Sequence, residues 1–417
     1  MGRSFWSPVL GGAEIMKRAL LVTAIWSFAL TATVASAGEV VWWTPNWGQA
    51  RAEKAAADFE AANPGIKIRL EITTSKGLPE RVATALQSGS APDIIEVQHG
   101  WVNGYYQSGL LTSLDDVIPD KSDFNQAVLN LVTFDGKAMA IPYRIECPGV
   151  LYNMDDFTAA GLDANKPPET WDQWVKTAKA LTKDGKFGMA ITGGGEVGNT
   201  VTRSMPLVWM NGGNIISDDG KTATINSPAA VEAIKFYTDF YRNGYSPDST
   251  LQNDGTANRQ LFIAGKVSMF QSGSYDLAPI SKGNPAIKVG IMPPPHPEGK
   301  STSCVLGGWS YVVPSGAKNP EEAKKFLAFM NTTEMQGAFT DTFPARLSSL
   351  KVPRYDDPQL KQFIAFLETG RPYPVNVHWV QIAQALFDGI QRILSGEQDA
   401  QAAMDEANAE IQALLDS

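Results

Sequence analysis

Arg144 and Glu146 place a guanidinium and a carboxylate two residues apart on residues 140–153, a stretch that is otherwise mostly apolar. Burying an unpaired charge costs free energy, so both groups need a partner or a polar surface. Pro142 and Pro148 favour extended backbone around them. We predict that this segment crosses from one domain to another and that the charged pair faces a cleft between them. The alternative is an ion pair that only supports the crossing.

Amide and aromatic side chains follow the first predicted strand, residues 39–43. Open α/β sheets bind ligands at the carboxyl ends of their strands, and loops there carry function. Asn46 and Trp47 are therefore predicted to line the cleft rather than the core. Trp42 and Trp43 point to opposite faces, because side chains alternate along a strand. One of the two belongs to the core, and Trp43 is kept as the cleft candidate.

The next buried strand, residues 92–97, is followed by Gln98, His99 and Trp101. Their position at a strand end makes all three cleft candidates. The alternative is a helix cap with a packed tryptophan. The chain has three histidines, which argues against a metal site at His99. We expect no metal and no cofactor.

Hydroxyl and amide candidates also lie in the second half of the chain. Ser272, Ser274 and Tyr275 follow a predicted strand at 265–270, and Asn199 follows a glycine-rich loop. At such ends the hydroxyl and amide groups can bond a polar ligand.

Gly308 and Arg346 are candidates of a different kind. Gly308, beside Trp309, either offers a bare backbone amide to an oxygen-rich ligand or forms a bulge. Arg346 follows a proline turn and is either a contact for an anion or hydroxyl, or a solvated surface arginine.

Enzyme signatures are weak. Gly193, Gly195 and Gly198 formally match a dinucleotide fingerprint, with Asp218 about twenty residues on. No helix is evident after Gly198, so we interpret the glycines as allowing close approach of backbone or ligand. The sequence contains neither a Gly-x-Ser-x-Gly elbow nor a His-Glu-x-x-His motif. A glycosidase needs two acids flanking one bond, and only Glu146 is a candidate.

Length and composition limit the possible classes. A chain of 417 residues exceeds one ordinary hydrophobic core, so two domains are expected. The 43% hydrophobic content is that of a globular protein. The net charge of −9, with no basic stripe, argues against a nucleic-acid partner.

Residues 1–37 have the pattern of an export signal. Lys17 and Arg18 precede an apolar run that ends in the small residues Ala35-Ser36-Ala37. We expect a mature, soluble chain from Gly38 onward, without a lipid anchor because no cysteine lies near the cleavage site.

Cys147 and Cys304 are the two cysteines of the chain. An oxidising compartment permits a bridge between them. Both lie in segments that we interpret as interdomain crossings, yet two buried free thiols are the alternative.

The elements that must position these residues alternate between strand and helix. Residues 49–62 are Ala-rich and end at Asn63-Pro64-Gly65, whereas residues 66–72 alternate apolar and polar side chains. Thr170 and Ser227-Pro228 begin further helices. The alternation over residues 39–97 predicts an α/β lobe with a mainly parallel sheet.

The order of these motifs resembles the extracellular solute-binding proteins of sugar-type ABC importers. Three parts carry the resemblance: 91–111, which looks like the matching stretch of maltose-binding proteins, the crossings at 141–153 and 306–308, and the C-terminal Arg371-Pro372, Trp379 and Gly396-Glu397. A looser resemblance links the chain to glycerol-phosphate binders.

The resemblance implies a two-lobed periplasmic-binding-protein fold, α/β in class, that closes by hinge motion. The implied lobes are residues 38–144 with 308–350, and 145–307 with 351–417. A solute would bind in the cleft between them, and the closed form would meet a membrane permease. We expect a monomer in the periplasm.

The resemblance also implies roles for two residues. Glu146 falls where the family commonly touches sugar hydroxyls, and Trp379 falls where an aromatic ring stacks on the sugar, with helix packing as its alternative. Maltose binders carry an acid and an arginine near Gly100 and Trp101, and this chain does not. Alternatives to a neutral sugar are an anionic polyol, such as glycerol phosphate, its diester or a sulfonated sugar. An exported carbohydrate-active enzyme is the alternative class.

Overall fold

The computed structural model describes residues 38–74 and 76–417. The predicted export signal, residues 1–37, lies outside them. The strands are β1 Gly38–Pro45, β2 Ile66–Thr73, β3 Ile94–Gln98, β4 Thr133–Phe134, β5 Lys137–Ala138, β6 Ile141–Glu146, β7 Gly149–Asn153, β8 Met269–Ser272, β9 Val289–Met292, β10 Cys304–Val305, β11 Gly307–Val312 and β12 Gly370–Arg371. The helices are α1 Gln49–Ala62, α2 Leu78–Ser88, α3 Val102–Gln107, α4 Gln126–Leu131, α5 Met154–Ala159, α6 Trp171–Leu181, α7 Val197–Met210, α8 Pro228–Arg242, α9 Gly255–Ile263, α10 Leu277–Gly283, α11 Pro320–Met330, α12 Thr333–Phe339, α13 Pro358–Phe366, α14 Trp379–Ser395 and α15 Ala400–Leu415. Within these described ranges, no helix combines the length and the hydropathy that a membrane crossing requires.

Local sequence explains where several helices begin and end. The α1 helix covers residues 49–62, as predicted. It ends before Asn63 because the following Pro64 disfavours helical backbone at Asn63. The Thr170 hydroxyl accepts a hydrogen bond from Gln173 N at 3.4 Å, and Gln173 Oε1 accepts one from Thr170 N at 3.4 Å. This capping box orients α6 so that Trp174 is buried.

A five-stranded sheet forms the first lobe, in the order β2-β1-β3-β11-β6. β1 pairs in parallel with β2 and β3, whereas β11 runs antiparallel to both β3 and β6. The prediction of a mainly parallel sheet holds apart from β11, which returns from the second lobe. The carboxyl ends of β1, β3 and β6 therefore lie at one edge of the sheet.

A three-stranded antiparallel sheet, β8-β7-β9, forms the second lobe. Residues 186–192, predicted as a strand, form isolated bridges and no full strand: Phe187 pairs in parallel with Val267 and Ala190 with Phe270, and Lys186 pairs antiparallel with Lys183. α7 follows immediately, although no helix was evident there from the sequence. The interpretation of 193–198 as a loop needs this correction: the loop ends at Glu196, and Gly198 lies inside the helix.

Two of the segments that cross between the lobes lie side by side and are linked by a disulfide. β6 leads to β7 through Cys147, and β10 leads to β11 from Cys304. The two cysteines form a disulfide with their Cα atoms 5.4 Å apart. The first lobe is predicted to end at residue 350. Tyr355 lies after this point, but its hydroxyl donates to Thr342 O within that lobe at 3.2 Å. The exact lobe boundaries stay a prediction.

Candidate functional site

A cavity of about 1150 Å³ lies between the two lobes. This volume is near the upper end for small-molecule sites. The first lobe contributes polar and aromatic side chains from the strand ends and from the loop at 338–341, and the second lobe contributes α7, the start of α9 and residues 274–281. The cavity thus lies at the strand ends, where open α/β sheets place their ligands.

Arg144 lies in the wall of this cavity and is held from several sides. Its Nη2 donates to Glu146 Oε2 at 2.9 Å, and its Nη1 lies 3.4 Å from Asp341 Oδ1. Its guanidinium lies 4.4 Å from the centre of the Trp47 ring, a cation–π distance. Burial works against the charge, but Asp341 and Glu146 raise the pKa of Arg144 above its ordinary value. The guanidinium is therefore charged and fixed in position.

Tryptophan rings form an apolar surface beside Arg144. The rings of Trp47 and Trp309 meet edge to face with their centres 5.4 Å apart, and Trp101 supports Trp309 from behind at 5.8 Å. Aromatic faces of this kind can contact the C–H surface of a sugar ring while polar neighbours bond its hydroxyls. Trp47 and Trp309 line the cavity.

Gly308 allows β11 to reach β6 beside the tryptophans. Its φ is +144°, and a Cβ at this position would overlap the carbonyl oxygen of Arg144. The strand register shifts between Trp309 and Ser310. The irregularity lies next to Gly308 and not at it, because Gly308 itself pairs with Ile145, and Gly308 lines the cavity.

The first turn of α7 supplies the opposite wall. Arg203, which is buried, donates from Nε to Gln271 O at 3.1 Å and from Nη1 to Asn199 O at 2.8 Å. Its Nη2 donates to the Tyr275 hydroxyl at 3.3 Å. Asn199 Nδ2 donates to Glu196 Oε2 at 3.1 Å. A carboxylate, an amide and a guanidinium thus follow one another at intervals of three or four residues on one helix face.

Glu196 is half-buried at the start of this wall. Burial and the nearby charge of Asp254 raise the pKa of Glu196, while Arg203 and the bond from Asn199 lower it, and together these effects place it at about 7. The carboxyl group can therefore exchange a proton near neutral pH.

The sequence profile of the family described as bacterial extracellular solute-binding protein matches residues 43–337. The chain belongs to this family. The match covers both walls of the cavity and confirms the resemblance seen in the sequence.

Relatives and solved structures extend the comparison. The sn-glycerol-3-phosphate-binding periplasmic protein UgpB of Agrobacterium fabrum is 25% identical over 91% of this chain and 93% of its own length. The diacetylchitobiose binding protein DasA of Streptomyces coelicolor is 26% identical over 68% of this chain and 66% of its own length. An ABC transporter solute-binding protein of Thermotoga lettingae, crystallised with alpha-D-tagatose, matches 91% of this chain and 100% of its own with a TM-score of 0.84 at 23% identity. The two-lobed fold is thereby confirmed, and the family consists of binding proteins rather than enzymes.

The structure brings most of the predicted site residues of this solute-binding protein together. The predicted residues that line the cavity are Asn46, Trp47, Gln98, Arg144, Glu146, Asn199, Ser274, Gly308 and Trp309. Gln98 reaches across it, since a Cβ at Gly198 in the second lobe would lie 3.3 Å from Gln98 Nε2. Most of these residues lie at or next to strand ends, which is why pattern and position located them, whereas Asn199 lies in α7.

Three predicted residues of the first lobe are turned away from the cavity. Trp43 donates from Nε1 to Glu71 Oε2 at 2.5 Å on the far side of β1. His99 is fully buried, with Nδ1 2.7 Å from Ser310 Oγ and Nε2 3.2 Å from Arg144 O, and burial lowers its pKa to about 3. Trp101 is the packed tryptophan of the alternative interpretation.

Three further predicted residues also lie outside the cavity. Ser272 is buried, and its hydroxyl donates to Asp276 Oδ2 at 2.5 Å. Arg346 donates from Nε to Asp123 Oδ2 at 2.7 Å, so it braces the first lobe. Trp379 is buried against the Tyr373 ring, with centres 5.5 Å apart. Trp379 therefore takes part in helix packing, which was the alternative to stacking on a sugar. The Tyr373 ring that it contacts lines the cavity.

Sequence reasoning missed several charged residues that line the cavity: Arg51, Glu196, Arg203, Asp254, Arg259, Asp276 and Asp341. Glu196 and Arg203 lie on α7, which the sequence analysis did not predict. The available signal was the glycine loop followed by polar residues at positions 196, 199 and 203, spaced for one helix face.

Proposed function

We propose that this protein captures a sugar or sugar derivative in the cavity and delivers it to the membrane permease of an ABC importer. The supporting observation is the combination of the Trp47 and Trp309 faces with charged and amide side chains from both lobes around one cavity. Hydroxyl groups both donate and accept, so a polyhydroxylated solute can bond carboxylates and guanidinium groups alike.

Several narrower statements belong to this proposal. Residues 1–37 act as a cleaved export signal, and the mature protein works in the periplasm as a monomer without a lipid anchor. The lobes follow the predicted bounds, 38–144 with 308–350 and 145–307 with 351–417. The protein binds its solute without converting it.

The test is a thermal-shift screen of the purified protein with sugars, sugar derivatives and polyols at millimolar concentration, followed by calorimetry. A ligand that binds only the folded state raises the melting temperature. We expect a stoichiometric complex with a sugar that is recovered unchanged after overnight incubation. Recovery of a cleaved product would instead favour the exported enzyme, and the absence of any sugar that binds would reject the proposal.

An anionic polyol is the second candidate solute. The similarity to UgpB over nearly the whole chain favours it. Arginine forks bind phosphate or sulfonate well when their N–H groups are free. Including glycerol phosphate, its diesters and a sulfonated sugar in the screen separates the two candidates directly.

A further inference from the structure

The arginines that line the cavity are already engaged by the protein. Arg51 Nη2 donates to Asp341 Oδ2 at 3.1 Å, and Arg259 Nη1 donates to Asp276 Oδ1 at 2.6 Å. Arg354 donates to Thr340 O at 2.8 Å, and Arg144 and Arg203 hold the partners described above. Lys76 is exposed to solvent. Positive charge in this cavity is thus largely neutralised or bonded before a solute enters.

Among the described residues, two half-buried carboxylates of the cavity wall lack such a counter-charge. Glu196 accepts from the Asn199 amide, and Asp254 accepts from Ala257 N at 2.8 Å. In the described part of the chain, no lysine, arginine or histidine nitrogen lies within 4 Å of either carboxylate. Both side chains line the cavity. Carboxylates out of bulk water without a cation are costly.

The glycine loop is what brings these two carboxylates side by side. Gly194 N donates to Asn253 O at 3.1 Å, and a Cβ at Gly195 would lie 2.6 Å from Asp254 Cβ. Any side chain at 195 would therefore push the Asp254 segment away. The loop before α7 and the loop before α9 are held together directly behind the two acids.

The charges facing Glu196 come from four directions. On α7, Arg203 favours its ionised form, while Asp254 before α9 and Glu146 on β6 oppose it. From the segment after β12, Tyr373 also faces it. Burial is the main cause of the raised pKa of Glu196, and the two acids add to it against the one cation.

Ser274 provides an independent sign of an unfilled polar position in the same cavity. Its side chain is 7% exposed, and its hydroxyl oxygen has no hydrogen-bond partner among residues 38–74 and 76–417. It lines the cavity. Buried hydroxyls normally have partners, so this oxygen is available to a ligand.

We propose that the solute carries a protonated amine, as in an amino sugar or an aminocyclitol, and that Glu196 and Asp254 bind this ammonium group. The inference rests on the proposed function and names the class of sugar. An ammonium group has three N–H donors and no acceptor, so it can bond both carboxylates and supply the missing counter-charge. A phosphate or sulfonate would face the same carboxylates and would compete for guanidinium groups that are already paired. Arg51, Arg144 and Arg259 each keep an Nε without a hydrogen-bond partner among the described residues, but each has a carboxylate partner.

The test compares ligands that share one skeleton. Calorimetry at pH 7 would use glucose, N-acetylglucosamine and glucosamine, then cellobiose, N,N′-diacetylchitobiose and chitobiose, with the matching galactose and mannose series and with glycerol phosphate. We expect an amine to bind at least about tenfold more tightly than its neutral and acetylated counterparts. Glu196→Gln and Asp254→Asn should each remove most of that preference, measured within each variant as the ratio of its affinity for the amine to its affinity for the neutral parent. Glu298→Gln, at an exposed position outside the cavity, is the matched control.

Proton release gives a readout that a merely structural role would not change. At pH 6 the Glu196 carboxyl is mostly protonated, and an ammonium ligand favours its ionised form. Binding of the amine should therefore release close to one proton, measured by calorimetry in two buffers of different ionisation enthalpy. The release should vanish in Glu196→Gln and with a neutral sugar.

Three outcomes would overturn the inference. If neutral or acetylated sugars bind as tightly as the amines, the inference is wrong and the proposed function still holds. An amine preference that persists in both variants would place the ammonium elsewhere. If glycerol phosphate binds most tightly, the solute is an anion and not a cation. If no sugar in the series binds, with or without an amine, the proposed function fails together with the inference.

Discussion

The Arg144 guanidinium lies 5.5 Å from the centre of the Tyr275 ring, so an aromatic side chain of the second lobe covers a charged group of the first. Trp47 covers the same guanidinium at 4.4 Å from within the first lobe. The side chain at the crossing therefore contacts aromatic rings of both lobes. The proposed solute site and the contact between the lobes therefore share this guanidinium.

Tyr275→Ala should weaken binding of the identified sugar by about tenfold, because the ring covers Arg144 and closes one side of the cavity. Tyr275→Phe keeps the ring and loses only the acceptor for Arg203 Nη2 at 3.3 Å, so its effect should be several times smaller. Calorimetry of both variants gives the comparison. Equal losses in the two would assign the effect to the hydroxyl group instead of the ring.

Trp47→Ala should reduce sugar affinity by about 10- to 100-fold, since burying an aromatic side chain contributes about 1.5–3 kcal/mol. Trp43→Ala is the matched control: it lies four residues away, outside the cavity, and bonds Glu71. Melting temperatures without sugar separate lost binding from lost stability. A comparable loss of affinity in Trp43→Ala would mean that the sugar lies elsewhere.

The sequence located the strand-end residues because their positions follow from local patterns. Gln98 and Asn46 end strands that alternate with helices, and strand ends converge at one edge of a sheet. Arg144 was found because two charges on an apolar crossing are conspicuous. The helices α1 and α6 were predictable from their capping and breaking residues.

The remaining site residues depend on contacts that are distant in sequence. Arg346 pairs with Asp123, 223 residues away, and no local pattern distinguishes that pair from a ligand contact. His99 bonds Ser310 on a strand that returns 211 residues later. Trp379 fills the space left by Gly100, which becomes visible only once α14 is docked. Which polar side chains stay free for a ligand is decided by such pairings.

The buried carboxyl group of Glu96 should make the folded protein less stable as pH rises. It is buried, its Oε2 accepts from the Tyr143 hydroxyl at 2.5 Å, and burial raises its pKa to about 7. A raised acid pKa gives stability that is fully present below the unfolded pKa, near 4.5, and is lost as pH rises to about 7. Glu96→Gln keeps an acceptor for Tyr143 and cannot ionise.

The measurement is the difference in unfolding free energy between Glu96→Gln and the parent protein, by urea titration from pH 4.5 to 7.5. This difference should move in favour of the variant as pH rises. Comparing the two proteins cancels the opposing contribution of His99, whose lowered pKa makes stability fall towards acid pH. A difference that is constant with pH would show that folding does not raise the pKa of Glu96.

The Cys147–Cys304 disulfide should contribute strongly to stability, because it closes a loop between residues 157 apart in the chain. In the chain-entropy description, a loop of this size lowers the entropy of the unfolded state by an amount worth up to about 5 kcal/mol. A Cys147→Ser, Cys304→Ser double variant should therefore unfold at markedly lower urea concentration. Reductant should destabilise the parent protein and leave the double variant unchanged. Alkylation of both cysteines in the denatured, unreduced parent protein, read by intact mass, would instead show two free thiols and contradict the prediction.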